Sequence, residues 1–156
     1  MVRWVSLWMC AAVLTAAVAG CASSEVPEAV QPGTSGVRLL AMTAYEPEAS
    51  GGPGVVRAFV QPIGANEAAE YRFELYEFVP LNANPRGKRL VLWPGIEPGA
   101  AQPSNPYWRG HLKAYEFVLP MSSPPAAKKT YLLEVTSLGK DGTRRNDIMK
   151  LKSKEQ

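Results

Sequence analysis

The chain has 156 residues, of which 17 are lysine or arginine, 14 are aspartate or glutamate and one is histidine, for a formal net charge of +3 at pH 7. This small positive excess argues against nucleic-acid binding, which depends on a strongly basic surface. The 14 prolines and 13 glycines argue against long helices and favour short strands joined by turns.

The first residues have the order of a secretory signal, with the positive charge of Arg3 followed by an apolar run from Val5 to Val18. The run closes on Val18-Ala19-Gly20-Cys21, which resembles the lipobox of bacterial lipoproteins. This resemblance implies a signal peptide over residues 1–20, cleavage between Gly20 and Cys21, and diacylglycerol on the Cys21 thiol. Acyl chains at Cys21 would then anchor the mature chain to a membrane, since several chains together give stable binding.

Two other interpretations of the N-terminus stay open. The apolar run is shorter than the roughly 20 residues that span a bilayer, which argues against an uncleaved membrane helix. Ala17-Val18-Ala19 also has the pattern of an ordinary signal-peptidase site, which would give a secreted protein without lipid. On the lipoprotein interpretation, Ala22 is typical of outer-membrane sorting. We therefore expect the cell envelope, with the outer membrane facing the periplasm favoured over the inner membrane.

Residues 21–36 are rich in proline, glycine and serine and lack a hydrophobic period, which predicts a flexible tether after the lipidated cysteine. Residues 37–156 then form one folded domain. Its predicted fold is all-β, a single seven-stranded antiparallel β-sandwich of immunoglobulin-like or transthyretin-like type. Asp141-Gly142 predicts a type I′ hairpin between the last two strands. The seven segments with the alternation and turn boundaries of strands are 37–45, 55–61, 71–79, 88–93, 109–119, 130–138 and 143–152.

Residues for catalysis or metal binding are scarce in this domain. Its only histidine is His111, predicted on the fifth strand, and neither of the cysteines, Cys10 and Cys21, lies within it. Nucleophilic triads and zinc sites both require such side chains, so we expect no catalytic residue, no metal and no cofactor. The strand glutamates, among them Glu74 and Glu134, are expected to face solvent, and only a converging pair would indicate a hydrolase.

Four residues around a long loop suit binding better than catalysis. Trp93 precedes the loop at 94–106, and Tyr107, Trp108 and Arg109 follow it. Aromatic rings beside an arginine are typical of anchor residues in protein interfaces and of platforms for sugar rings. The alternative is that Trp93 and Trp108 close one end of the core.

We therefore expect a non-enzymatic, lipid-anchored envelope lipoprotein whose sandwich docks a partner protein in the envelope. A glycan- or small-ligand-binding module using the loop aromatics is the second hypothesis. A third rests on the segment Ser50 to Arg57 and the aromatic stretch that ends Leu75-Tyr76-Glu77. These are similar to the front of the type VI secretion outer-membrane lipoprotein. That similarity implies a transthyretin-like sandwich that docks a large inner-membrane secretion component through a loop between early strands.

Overall fold

In the computed structural model, which describes residues 36–64, 68–126 and 129–152, every regular element is a β-strand. The predicted all-β fold is therefore confirmed for this part of the chain. The predicted signal peptide, Cys21 and the tether up to residue 35 lie outside the described residues. In chain order, the described strands are β1 (Gly36–Leu39), β2 (Ala44–Glu46), β3 (Val55–Ile63), β4 (Ala68–Phe78), β5 (Arg86–Leu92), β6 (Trp108–Arg109), β7 (Ala114–Pro120), β8 (Thr130–Gly139) and β9 (Arg144–Lys152).

The strands form two antiparallel sheets that pack face to face. Sheet A has the order β1-β3-β7-β6, with β2 also paired to β3, and sheet B has the order β5-β4-β8-β9. Alternation decides which side chains turn inward: in β3, Val56, Ala58 and Val60 are buried, whereas Arg57 points outward. The inner faces of both sheets contribute to one hydrophobic core.

Aromatic side chains form the centre of this core. The rings come from β4 in sheet B and from β7 in sheet A, and neighbouring centroids lie 5.0–6.2 Å apart. Such tilted contacts add to the stabilisation that comes from buried area alone. The rings belong to Tyr71, Phe73, Tyr115 and Phe117.

The described residues contain nine strands where the sequence predicted seven, because two predicted strands are each broken by a turn. The first is broken after Leu40, where Thr43 N–H donates to the Leu40 carbonyl at 2.9 Å and Thr43 Oγ1 accepts from Phe59 N–H at 3.0 Å. The fifth is broken by the turn Gly110–Lys113, where Lys113 has a φ of 49°. Each turn separates a short strand, β2 or β6, from its neighbour.

The hairpin between β8 and β9 is confirmed, but its predicted type I′ turn is wrong. Gly142 has a φ of 79° and Asp141 does not share this left-handed conformation. Gly142 N–H donates to the Gly139 carbonyl at 3.0 Å, so the turn runs from Gly139 to Gly142 with glycine last. This matches a type I turn followed by a left-handed glycine, the usual three-residue hairpin connection.

The register of the strands distinguishes the two ends of the sandwich. We call the end where β1 starts the proximal end: Gly36 pairs with Ile63, the last residue of β3, and the Gly139–Gly142 turn lies there too. We call the opposite end the distal end. It carries three connections, at residues 47–54 between β2 and β3, 79–85 between β4 and β5, and 121–129 between β7 and β8.

Candidate functional site

Trp93, the first residue of the predicted binding cluster, lies in the core. Its side chain is only 5% exposed, and its indole Nε1 donates a hydrogen bond to the Pro120 carbonyl at 2.7 Å. Its backbone N–H donates to the Phe73 carbonyl at 3.1 Å, so the residue connects β4 of sheet B with β7 of sheet A. The ring therefore seals the gap between the sheets, and the same residue lines an open surface groove of ≈390 Å³ together with Arg72 and Pro94.

Tyr107 and Trp108 are half-buried and pack on the same core. The Tyr107 ring centroid lies 5.5 Å from that of Phe117, and Trp108 makes an edge contact with Tyr115 at 5.0 Å. Their placement matches the alternative stated above, in which the tryptophans close the core.

The loop before these rings is held by one buried amide. The Asn105 side-chain nitrogen donates to the carbonyls of Pro98 and Ala100, both at 2.6 Å. Its Oδ1 accepts from Tyr107 N–H at 2.9 Å. Asn105 thus satisfies backbone groups that the irregular loop would otherwise leave unpaired, and it orients Tyr107 toward the core.

Arg109 joins a line of ion pairs across the outer face of sheet A. Glu116 on β7 accepts hydrogen bonds from both Arg57 on β3 and Arg109 on β6, and Arg57 also binds Glu46 on β2 at 2.8 Å. Burial raises the pKa of Glu116, but the hydrogen bonds from the two arginines outweigh it and keep the pKa below its ordinary value of 4.5. These ion pairs link β2, β3, β7 and β6, which are four strands of sheet A.

The four predicted residues do not converge on one surface. Trp93 contacts Pro120 near the distal end of β7, whereas Trp108 pairs with Tyr115, five residues earlier on the same strand. Five residues of extended strand span about 17 Å.

His111 lies exposed in the turn between β6 and β7, so its predicted place on a strand is wrong. The glutamates Glu74 and Glu134 are direct cross-strand neighbours on the outer face of sheet B. Each has its own arginine, since Arg89 binds Glu74 at 3.0 Å and Arg86 binds Glu134 at 2.9 Å. Hydrogen bonds to Glu74, first from Tyr76 and then from Arg89, lower its pKa, so this carboxylate is ionised at neutral pH.

The distal end is held in place by two tyrosine hydroxyls. Tyr45 donates to the Pro53 carbonyl at 3.0 Å, which fixes the 47–54 connection. Tyr131 accepts from Ala126 N–H at 2.7 Å, which holds the part of the 121–129 connection that ends at Ala126. A cavity of only ≈10 Å³ remains between these connections and the core, and its lining is almost wholly apolar. The core beneath this end of the sandwich is therefore closely packed.

That third connection, the hairpin tip at 79–85, presents Leu81. The side chain has a relative exposure of 107%, and the residue has a φ of 61°. The hairpin is closed below it, where Val79 N–H donates to the Pro85 carbonyl at 2.9 Å. Sequence reasoning missed this residue, although an apolar side chain in the polar turn Pro80-Leu81-Asn82 was a visible signal.

Positive side chains surround the base of the hairpin tip. Lys150 Nζ lies 4.3 Å from the centre of the Phe78 ring, and Lys129 Nζ lies 3.9 Å from Glu77. Lys88 is exposed on β5 beside the tip. Glu77 contacts Lys129 and Glu134 contacts Arg86, so the cations at the hairpin base, Arg86, Lys88, Lys129 and Lys150, outnumber these two carboxylates.

Comparison with known proteins places the chain in no family. No family model, no curated protein and no solved structure matches it. Within the described residues, no helix is long and apolar enough to cross a membrane. The same residues hold no cluster of three or more His, Cys, Asp or Glu side chains placed to bind a metal ion.

Proposed function

We propose that the protein is an envelope lipoprotein, anchored by lipid on Cys21 in the outer membrane facing the periplasm, whose sandwich docks a partner protein at the distal end. The observation that carries the proposal is Leu81, an apolar side chain fully exposed on that end. Because Leu81 adds nothing to the apolar burial that stabilises the described domain, we infer that its side chain is buried in contact with another molecule.

The predicted position of the tether also favours docking at the distal end. The predicted tether runs into the sandwich at Gly36, at the proximal end. The distal end is then the end of the sandwich farthest from the point where the tether enters, which leaves it accessible to a partner. Its two other connections are fixed by Tyr45 and Tyr131, so a partner would meet a preformed surface and lose little free energy in ordering it.

The type VI resemblance is a narrower form of this proposal. The segment that carries it, Ser50 to Arg57, includes the end of the connection between β2 and β3, which lies at the distal end. A loop between early strands is also the docking element that the resemblance implies.

The proposal assigns no reaction to the chain. Glu74 and Glu134 each bind an arginine, and the lowered pKa of Glu74 is the reverse of what a general acid requires. Glycan binding through the loop aromatics is also disfavoured, since Trp93 is buried and both Tyr107 and Trp108 pack on the core.

Site-specific photo-crosslinking in cells tests the proposal. A photoreactive residue replaces Ser123 at the distal end or, as a control, Asp141 at the proximal end; both are exposed. We expect one envelope protein to be captured from position 123, to be missing from position 141, and to decrease in a Cys21→Ala background. Equal capture from the two ends, or none from position 123, would contradict docking at the distal end.

A further inference from the structure

We propose that Leu81 is the anchor residue of the interface and that it inserts into an apolar pocket bordered by carboxylates on the partner protein. This inference rests on the proposed function and adds the chemistry of the contact. It also predicts which feature of the partner the distal end recognises.

The first observation is how far Leu81 differs from the other exposed apolar side chains. Leu92 and Val118 are 54% and 51% exposed, so each still has about half of its surface in contact with the domain. Leu81, at 107%, has none. Its removal would therefore take nothing from the packing of the described residues.

The second observation is its backbone conformation. Leu81 follows Pro80 and has a φ of 61°, the arrangement of a type II turn, whose third position favours glycine or asparagine. A bulky residue is disfavoured there because its Cβ crowds the backbone. Neither packing nor turn geometry thus explains leucine at this position. Strained residues of this kind concentrate at binding sites, where the side chain is needed for contact.

The charged side chains around the hairpin base indicate which groups border the pocket on the partner protein. Lys88, Lys129 and Lys150 surround the hairpin base, and the last two lie within contact distance of Glu77 and Phe78. An apolar anchor with a basic surround is complementary to an apolar pocket with an acidic rim.

The geometry favours a protein over the anchoring membrane. β3 has nine residues, so the sandwich is about 30 Å long, and Leu81 lies at the end opposite Gly36. The predicted tether, residues 22–36, has a random-coil reach of about 20 Å. For Leu81 to enter the same bilayer, the tether would have to cover about 30 Å, which is beyond its random-coil reach.

The test uses the full-length protein in its own cell, with a photoreactive phenylalanine analogue at position 81 and, as the control, at exposed Val118 on the outer face of sheet A. We expect position 81 to form one protein adduct, and peptide mapping to place it in an apolar segment flanked by Asp or Glu. The pair Lys88→Glu and Lys129→Glu should lower the adduct yield about tenfold, whereas Lys140→Glu at the proximal end should not change it. Thermal unfolding checks that each variant folds.

Several results would overturn the inference: an adduct with lipid, an adduct with a second copy of this chain, equal capture from position 118, or a yield that the charge reversals do not change. If position 123 captures a protein and position 81 does not, the proposed function stands and this inference fails. If neither position captures a protein, both fail.

Discussion

Glu116 offers the sharpest test of how sheet A is held together. Its side chain is 10% exposed and accepts hydrogen bonds from Arg57 and Arg109, which are 35% and 38% exposed. Replacing Glu116 with glutamine keeps the shape but removes the charge between two guanidinium groups. Glu46, at 46% exposure, binds Arg57 alone, so Glu46→Gln is a matched control in the same network.

A hydrogen bond to a charged group contributes about 1.5–3 kcal/mol. The arginines are more than a third exposed, and solvent reduces the contribution of such pairs. We therefore expect Glu116→Gln to lower the free energy of unfolding by about 2 kcal/mol, against less than about 0.5 kcal/mol for Glu46→Gln. For a domain of this size, 2 kcal/mol corresponds to a decrease in Tm of about 8 °C.

Urea or thermal unfolding of the domain at pH 7 and pH 3 measures how much stability Glu116→Gln removes and how that loss depends on pH. Because the pKa of Glu116 is lowered in the folded state, its stabilisation is fully present above its ordinary pKa of 4.5 and is lost as the pH falls through the folded value. The difference between wild type and Glu116→Gln should therefore shrink at pH 3. A loss below 0.5 kcal/mol at pH 7, or an equal loss at both pH values, would refute this account.

Three further substitutions test the core and the distal end. Phe117→Ala empties a fully buried site and should lower the free energy of unfolding by about 3–5 kcal/mol in urea titration. Trp93→Phe keeps one aromatic ring but loses the rest of the indole and the hydrogen bond to Pro120, so a loss of about 2–4 kcal/mol is expected by the same method. Tyr131→Phe removes the hydroxyl that binds Ala126, and limited proteolysis should then cut the 121–129 connection faster, with the strands unaffected.

Local pattern predicted most of the strands, because alternation is a property of neighbouring residues. Val56, Ala58 and Val60 follow it in β3, and Gly142 marks the last hairpin. The break between β1 and β2 could not be predicted in the same way. It depends on a hydrogen bond from Phe59, sixteen residues later, to Thr43.

The candidate site likewise depends on contacts between residues that are distant in the chain, which local sequence pattern does not predict. Trp93 and Trp108 were singled out by residue type, but type does not reveal that the Trp93 indole reaches Pro120, 27 residues away in the chain. Leu81 was visible as an apolar residue in a turn. Its complete exposure and its positive φ depend on how the hairpin tip projects from the sheet, which only the three-dimensional structure gives.

The most direct test of the central claim combines stability and partner capture in Leu81→Asn. Asparagine tolerates the left-handed conformation, so the variant should be about 1 kcal/mol more stable, with a Tm about 4 °C higher. Its partner capture from position 123 should nevertheless be lost. Lys113→Asn, at the positive-φ lysine of the proximal end, is the matched control and should gain stability without losing capture. Capture that persists in Leu81→Asn, or is lost equally in Lys113→Asn, would contradict docking through Leu81.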